Sequence, residues 1–268
     1  MSYRWLSFTT DYGTLDGFVA TVKGVIAGIA PDVTVVDVTH HVPAQDVRRA
    51  AAVLAQTAPW LPPAVHLAVV DPGVGTQRRG IAVVAARGVL VGPDNGLLLP
   101  AADALGGMTD AYELVDPAYR LADVSATFHG RDVFAPAAAH LCLGLDPARL
   151  GPPVADPVRL REPTVHIGPG VVRAEVLSVD GFGNVQLAAT DLGGLTGTVR
   201  VQDGLASVGR TFADVPDGEL VVLADSAGYV AIAVNRGSAA ARLGVEPGDV
   251  VEIRTAGQRR AGRRPGRA

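Results

Sequence analysis

Val69–Gly80, VVDPGVGTQRRG, closes an apolar run from Ala64 to Val70 that reads as a short buried strand. The strand ends in a carboxylate, Asp71. A Pro-Gly-Val-Gly turn follows, then Thr76 and two arginines. Open α/β sheets hold their ligands just past the carboxyl ends of strands. Glycines at such a tip let a bound molecule approach the backbone. A loop of this kind can fold Arg78 back onto Asp71. Its plainer reading is a tight turn with a solvated acid and two surface arginines. It is not a phosphate loop, because it lacks a Gly-Lys-Ser/Thr ending and a helix behind it.

Working outward, Trp5–Thr10 reads as a first strand and runs into a second strand-tip acid in Asp11-Tyr12-Gly13-Thr14. Asp16 is placed to cap a helix carrying Phe18, Val22, Val25 and Ile29 on one face, ended by Pro31. Val33–Val38 is a second strand and Asp46–Leu54 a second helix. The order β-α-β-α-β predicts a mostly parallel sheet with helices on its faces. Beyond the opening stretch, Gly80–Val84, Val89–Val91 and Tyr112–Val115 read as strands and Leu97–Leu105 as a short helix. Thr127–Asp132, TFHGRD, leads into a helix over Val133–Leu143.

Prolines then crowd the chain, and helix signals fade. Short strands at Val171–Val179, Val185–Ala188, Val199–Val201, Leu220–Leu223, Tyr229–Val234 and Val250–Ile253 are separated by turn signals. They predict a small β-barrel or sandwich. The expected organisation is an α/β domain over 1–150, a linker over 151–165, a barrel-like all-β domain over 166–257 and a disordered basic tail over 258–268.

The 268 residues are 48% hydrophobic and 19% charged, enough for well-formed cores, and the net charge of −4 argues against nucleic acid as the main partner. Cys142 is the only cysteine, so no internal disulfide or CxxC metal site can form. The first residues carry no signal-type apolar core, and no apolar run reaches membrane-span length. A cytoplasmic protein with no membrane partner is expected.

FTTDYGTLDGFV, VVDPGVGTQRRG, TFHGRDVFAP and DGFGNV occur in this order, an α/β half before a β half, with PDVTVVDVTH, PDNGLL and GYVAIAVN between and after them. Together they resemble the S-adenosyl-L-methionine hydroxide adenosyltransferases, or SAM hydrolases, relatives of the fluorinase and chlorinase enzymes. The likeness runs from about Trp5 to Ile253. It implies hydrolysis of S-adenosyl-L-methionine to adenosine and methionine, with Asp71, Arg78 and His129 as the catalytic set. Arg79 is adjacent, and the resemblance alone does not separate it from Arg78. It further implies that Asp11 holds the ribose hydroxyls and Phe212 packs on adenine. Asp180 and Ser226 would meet the methionine amino and carboxylate groups, and Phe182 and Asn184 would line the adenosine site. Ala227 stands where the fluorinase has an arginine, which leaves the carboxylate clamp open. The short Ala85–Gly88 connection and the intact set favour water over halide as nucleophile. The family also implies a homotrimer with sites between subunits, and neither metal nor cofactor beyond the substrate. The alternatives are a halide-dependent adenosyl transferase and a non-catalytic adenosine or S-adenosylmethionine binder.

Other residues have plainer readings. His140 reads as a structural histidine. His40 and His41 are adjacent, a poor arrangement for one metal ion. Asp94-Asn95-Gly96 reads as a turn, and Arg131-Asp132 as a helix-start surface pair.

Overall fold

A computed structural model describes residues 2–256. The chain divides into two compact units, one through Arg161 and the other from Glu162.

The first unit contains β1 (Trp5–Thr10), α1 (Phe18–Ile29), β2 (Thr34–Thr39), α2 (Val47–Thr57), β3 (Ala64–Val69), β4 (Gly80–Ala85), β5 (Gly88–Pro93), α3 (Leu99–Ala104), β6 (Met108–Glu113) and α4 (Ala135–Cys142). Its sheet has the order β2-β1-β3-β5-β4-β6. Only β4 runs against the others. The period of two along β1 and β3 sorts their side chains onto opposite faces. Leu6, Phe8, Val65 and Leu67 pack with Val22 and Ile26 of α1 and Ala138 and Leu141 of α4. Ala68 and Val70 pack with Ala50 and Leu54 of α2 and with Leu99 and Ala102 of α3. With both faces covered, β3 is buried along its whole length, which is why its sequence is a continuous apolar run.

Local differences from the sequence reading have physical reasons. Asp46 caps α2, its Oδ1 accepting from Arg49 N at 2.9 Å. Asp16 caps nothing; Gly17 holds the cap position of α1 without a side-chain bond. The expected helix over 133–143 starts earlier, in a π turn over Gly130–Phe134 that runs into α4. Such a turn re-aims the side chains around it. β6 begins at Met108, where the polar MTDAYE hides an edge strand paired with β4.

The second unit contains β7 (Val165–Gly168), β8 (Val171–Val179), β9 (Val185–Leu187), β10 (Thr198–Val201), β11 (Gly204–Val208), β12 (Leu220–Ala224), β13 (Val230–Val234), α5 (Ala239–Leu243) and β14 (Val250–Thr255). Its sheet closes because β8 is long enough to pair with β9 through its end and with β14 through its start. Val172, Val176, Val199, Val222, Ile232 and Ile253 fill the closed barrel. The sequence reading misses β7, β11 and α5, all five residues or fewer. The basic tail expected over 258–268 lies outside the described residues. Among the described residues, no helix is long and apolar enough to cross a membrane.

Candidate active site

The loop after β3 turns Arg78 back onto Asp71. Arg78 Nη2 donates to Asp71 Oδ2 at 2.6 Å and Nε to Oδ1 at 3.1 Å, a two-pronged pair whose side chains are 9% and 6% exposed. Charge-assisted bonds of this geometry are strong and directional. The loop is stiffened from within, since Thr76 Oγ1 donates to Gly73 O at 2.7 Å. Gly75, at φ +76°, packs against the backbone of Ala126; a Cβ there would meet Ala126 O at 2.4 Å. This contact seats the Asp71 loop beside the segment that carries His129.

His129 enters from the start of the π turn. Arg78 Nη2 lies 3.1 Å from its Nδ1. A guanidinium has only donors, so Nδ1 must be the acceptor and the proton of the neutral ring sits on Nε2. Burial and then the Arg78 charge hold His129 below the ordinary histidine value, against upward pulls from Asp71 and Asp132. The ring is therefore neutral at pH 7 and presents an Nε2–H. Phe134 backs the arrangement, its ring centroid 5.3 Å from the Arg78 guanidinium.

Asp71 and His129 line an open cleft of about 230 Å³ together with Asp11, Tyr12, Phe18, Gln45 and Phe128. Asp11 Oδ2 accepts from Gln45 N at 2.9 Å, which leaves its other oxygen to the cleft's contents. Tyr12, Phe18 and Phe128 form three ring pairs with centroids 5.2 to 5.9 Å apart; Phe128 meets both others edge-on, and Tyr12 and Phe18 are tilted. Burial, then Asp11 and Asp71, push the Tyr12 phenol upward, so it stays protonated. Its hydroxyl lies where a Cβ on Gly130 would sit, 2.1 Å away, which requires glycine at that position.

Arg79 takes no part in this cluster. It turns to Asp94, with Nη2 to Oδ2 at 2.6 Å, and to Asp156, with Nη1 to Oδ1 at 3.0 Å. Asp94-Asn95-Gly96 is thus more than a turn, because Asp94 is buried and carries an arginine. Asp132 is likewise no surface group. It is fully buried, which pulls its carboxyl upward, but it accepts from Arg131 Nε at 2.5 Å and from Ser125 N at 2.9 Å, and these bonds hold the carboxyl below the usual range. His40 and His41 point to different partners, Thr10 and Thr14. Among the described residues, no group of three His, Cys, Asp or Glu side chains is placed to hold a metal ion.

In the second unit, Asp180, Phe182 and Asn184 share one turn. Asp180 Oδ1 accepts from Phe182 N and Asn184 N, both at 2.9 Å, and Oδ2 from Asn184 Nδ2 at 2.8 Å. Phe182 is 84% exposed. Ser226 lies in the turn between β12 and β13. There Asp225 Oδ1 accepts from Ala227 N and Tyr229 N, and its Oδ2 accepts from Gln186 Nε2. Phe212 stands on a separate short turn after β11, 47% exposed. The reading by motif missed Tyr12, Asp94 and Asn95 as site neighbours, although all three lie inside stretches it quoted.

Residues 6–151 match the SAM hydroxide adenosyltransferase N-terminal domain and residues 174–252 the C-terminal domain of the same family. The chain is 59% identical over 260 residues to the (R)-S-adenosyl-L-methionine hydrolase of Salinispora arenicola, covering 96% of this chain and 99% of that one. It is 46% identical to the protein of that name from Thermus thermophilus, covering 93% and 99%. The fluorinase of Actinopolyspora mzabensis is more distant, at 29%. A crystal structure of an uncharacterized conserved protein from Thermotoga maritima superimposes with a TM-score of 0.86 at 39% identity, covering 92% of this chain and 99% of that one. Both halves of the family pattern are present in order, and the likeness extends over nearly the whole length of these relatives. This chain therefore belongs to the SAM hydroxide adenosyltransferase family.

Proposed function

We propose that this chain hydrolyses S-adenosyl-L-methionine to adenosine and L-methionine, water displacing the thioether at C5′. One observation carries the reading: a neutral histidine N–H and a buried carboxylate, fixed by one arginine, face a single cleft in a chain 59% identical to an (R)-S-adenosyl-L-methionine hydrolase. An O–C5′ bond forms as C5′–S breaks, and the electron pair goes to sulfur. The sulfonium leaves as a neutral thioether, so no general acid is needed. Asp71 takes the water's proton, which ends in solvent. His129 Nε2–H donates to the water oxygen and leaves another lone pair for attack. Arg78 acts through these two groups. Partial neutralisation of sulfonium and nucleophile in the transition state favours a cleft poor in water.

Asp11 is proposed to hold the ribose hydroxyls, Phe212 the adenine face, Phe182 and Asn184 the adenosine, and Asp180 and Ser226 the methionine end. The proposed assembly is a cytoplasmic homotrimer in which neighbouring subunits share each site, which light scattering would measure. The scheme calls on no metal or cofactor. Chromatography of products from S-adenosylmethionine, with and without chloride or fluoride and in ¹⁸O-water, tests the reaction. Adenosine labelled at its 5′ oxygen, formed without halide, is the expected product. A halogenated 5′-deoxyadenosine would make the chain a halide transferase. Adenosine bound without turnover would make it a carrier.

A further inference from the structure

The loop from Asp71 to Arg78 is held at both ends by one turn that contributes nothing to the cleft. Before Asp71, Asn95 Nδ2 donates to Val70 O at 2.9 Å, on the residue that follows β3. After Arg78, the fork of Arg79 closes on Asp94 Oδ2, with Nε at 2.9 Å and Nη2 at 2.6 Å. A main-chain bond, Asp94 N to Arg79 O at 2.9 Å, runs beside it. The turn is itself fixed. Asn95 Oδ1 accepts from Leu97 N at 3.2 Å, and Asp94 Oδ1 accepts from Val158 N at 2.7 Å. Asp94 is buried, and neither it nor Asn95 lines the cleft. Apart from the Asp71–Arg78 pair itself, the loop's bonds are local, spanning two or three residues, such as Val74 N to Asp71 O at 3.2 Å and Arg78 N to Thr76 Oγ1 at 3.3 Å. They shape the loop and do not fix where its two ends stand.

We propose that Asp94 and Asn95 are positioning residues for the Asp71–Arg78 pair, Asn95 setting the carboxylate end of the loop and Asp94, through Arg79, the guanidinium end. The turn works as a spacer between two chain ends that must meet within hydrogen-bond distance. The two arginines of the sequence thus divide the labour: Arg78 faces the chemistry and Arg79 anchors Arg78 from behind. The proposal rests on the functional reading above for its kinetic consequence, though not for its geometry. Groups one step behind metal ligands commonly change activity by about ten- to a hundredfold, and an effect of that order is expected for these partners of the reacting pair.

The test uses full-length Asn95→Ala and Arg79→Lys variants, with melting curves to show that they fold. Two readouts are taken. One is the ¹⁵N–¹H resonance of the Arg78 Nε–H, identified by its absence in Arg78→Lys. The other is kcat for S-adenosylmethionine beside the Kd for adenosine measured by calorimetry. Loss or broadening of the Arg78 resonance in Asn95→Ala is expected, with kcat reduced about tenfold or more. Adenosine Kd should stay within twofold, a split that general loosening of the fold would not produce. Arg79→Lys keeps the charge and loses the fork, and a smaller change in the same direction is expected. An unchanged Arg78 resonance in both variants overturns the proposal, whatever happens to kcat. A lost resonance in a protein whose wild type does not turn over S-adenosylmethionine upholds the positioning and rejects the assigned reaction.

Discussion

At the tip of β3 the carboxylate of Asp71 is bound by a side chain seven residues on, and that side chain reaches a histidine a further 51 residues along. In the turn after β8 the carboxylate of Asp180 is bound by the backbone and side chain of its own turn, within four residues. The first cluster is nearly buried and assembled by the tertiary fold. The second is exposed and assembled by local turn geometry. A buried, cross-linked cluster is set before any ligand arrives, which is what stabilising a transition state requires. Exposed, self-satisfied turns can exchange a bond for a ligand at a net change of about 1 kcal/mol. Substitutions in the first unit should therefore act on kcat, and those in the turns of the second unit on KM.

The harshest way to break this division is Asp71→Ala. Loss of the proton acceptor should lower kcat about 1,000-fold. Adenosine binding, read by calorimetry, should persist. The variant also strands Arg78 in a site where it is 9% exposed, so the melting temperature should fall as well. Turnover at the wild-type rate would end the assignment of Asp71.

Acid separates the units by stability. His66 on β3 is buried, bonded to Ser7 Oγ through Nδ1 at 2.8 Å, and pushed down to about 4 by burial and by Arg87. The barrel's one histidine, His166, is exposed. Between pH 6.5 and about 4 the unfolded chain binds a proton at His66 that the folded chain refuses. The stabilisation is thus complete above 6.5 and is lost as pH falls through that window, in total about 3 kcal/mol. Thermal melts from pH 7 to 4 should show this loss, and His66→Leu should flatten it. An equal slope in the variant would assign the acid lability elsewhere.

His129 carries the same sign in activity. Its value sits below 6.5, so the ring is neutral through pH 7 and gains a proton only in more acid solution. Protonation would set Nδ1–H against the Arg78 donor and dismantle the cluster. The pH profile of kcat should be level from about 7 upward and fall on the acid side below 6.5. His129→Ala should lower kcat about a hundredfold and abolish that acid limb.

The sequence discloses these regions unequally. β3 is legible because a strand buried on both faces is a continuous apolar run, and Asp71 is legible because it ends one. The Arg78 choice is not. Two adjacent arginines are chemically alike, and only Asp94 and Asp156, brought in from 15 and 77 residues away, turn Arg79 aside. Asp132 reads as a helix-start surface acid because burial is not written in a two-residue pair. β7 and β11 are invisible because four or five residues carry too little alternation, and barrel closure depends on long-range pairing. The turn residues Asp180, Phe182 and Asn184 are nominated by motif alone, since DGFGN is an ordinary hairpin signal.

The mildest change sharpens the comparison from the side of the second unit. Phe182 is 84% exposed, so Phe182→Ala removes no core contact and should leave the unfolding free energy within about 0.5 kcal/mol of wild type. If its ring covers adenosine, the loss of an aromatic contact of about 1 kcal/mol should raise KM five- to tenfold. The Asp180 bonds to Phe182 N and Asn184 use backbone and a retained side chain, so the turn survives the substitution. With the Asp71–Arg78–His129 cluster untouched, kcat should stay within threefold. A matching fall in kcat would mean that this turn shapes the transition state as well as the complex, and the division between the units would then fail at its least protected residue.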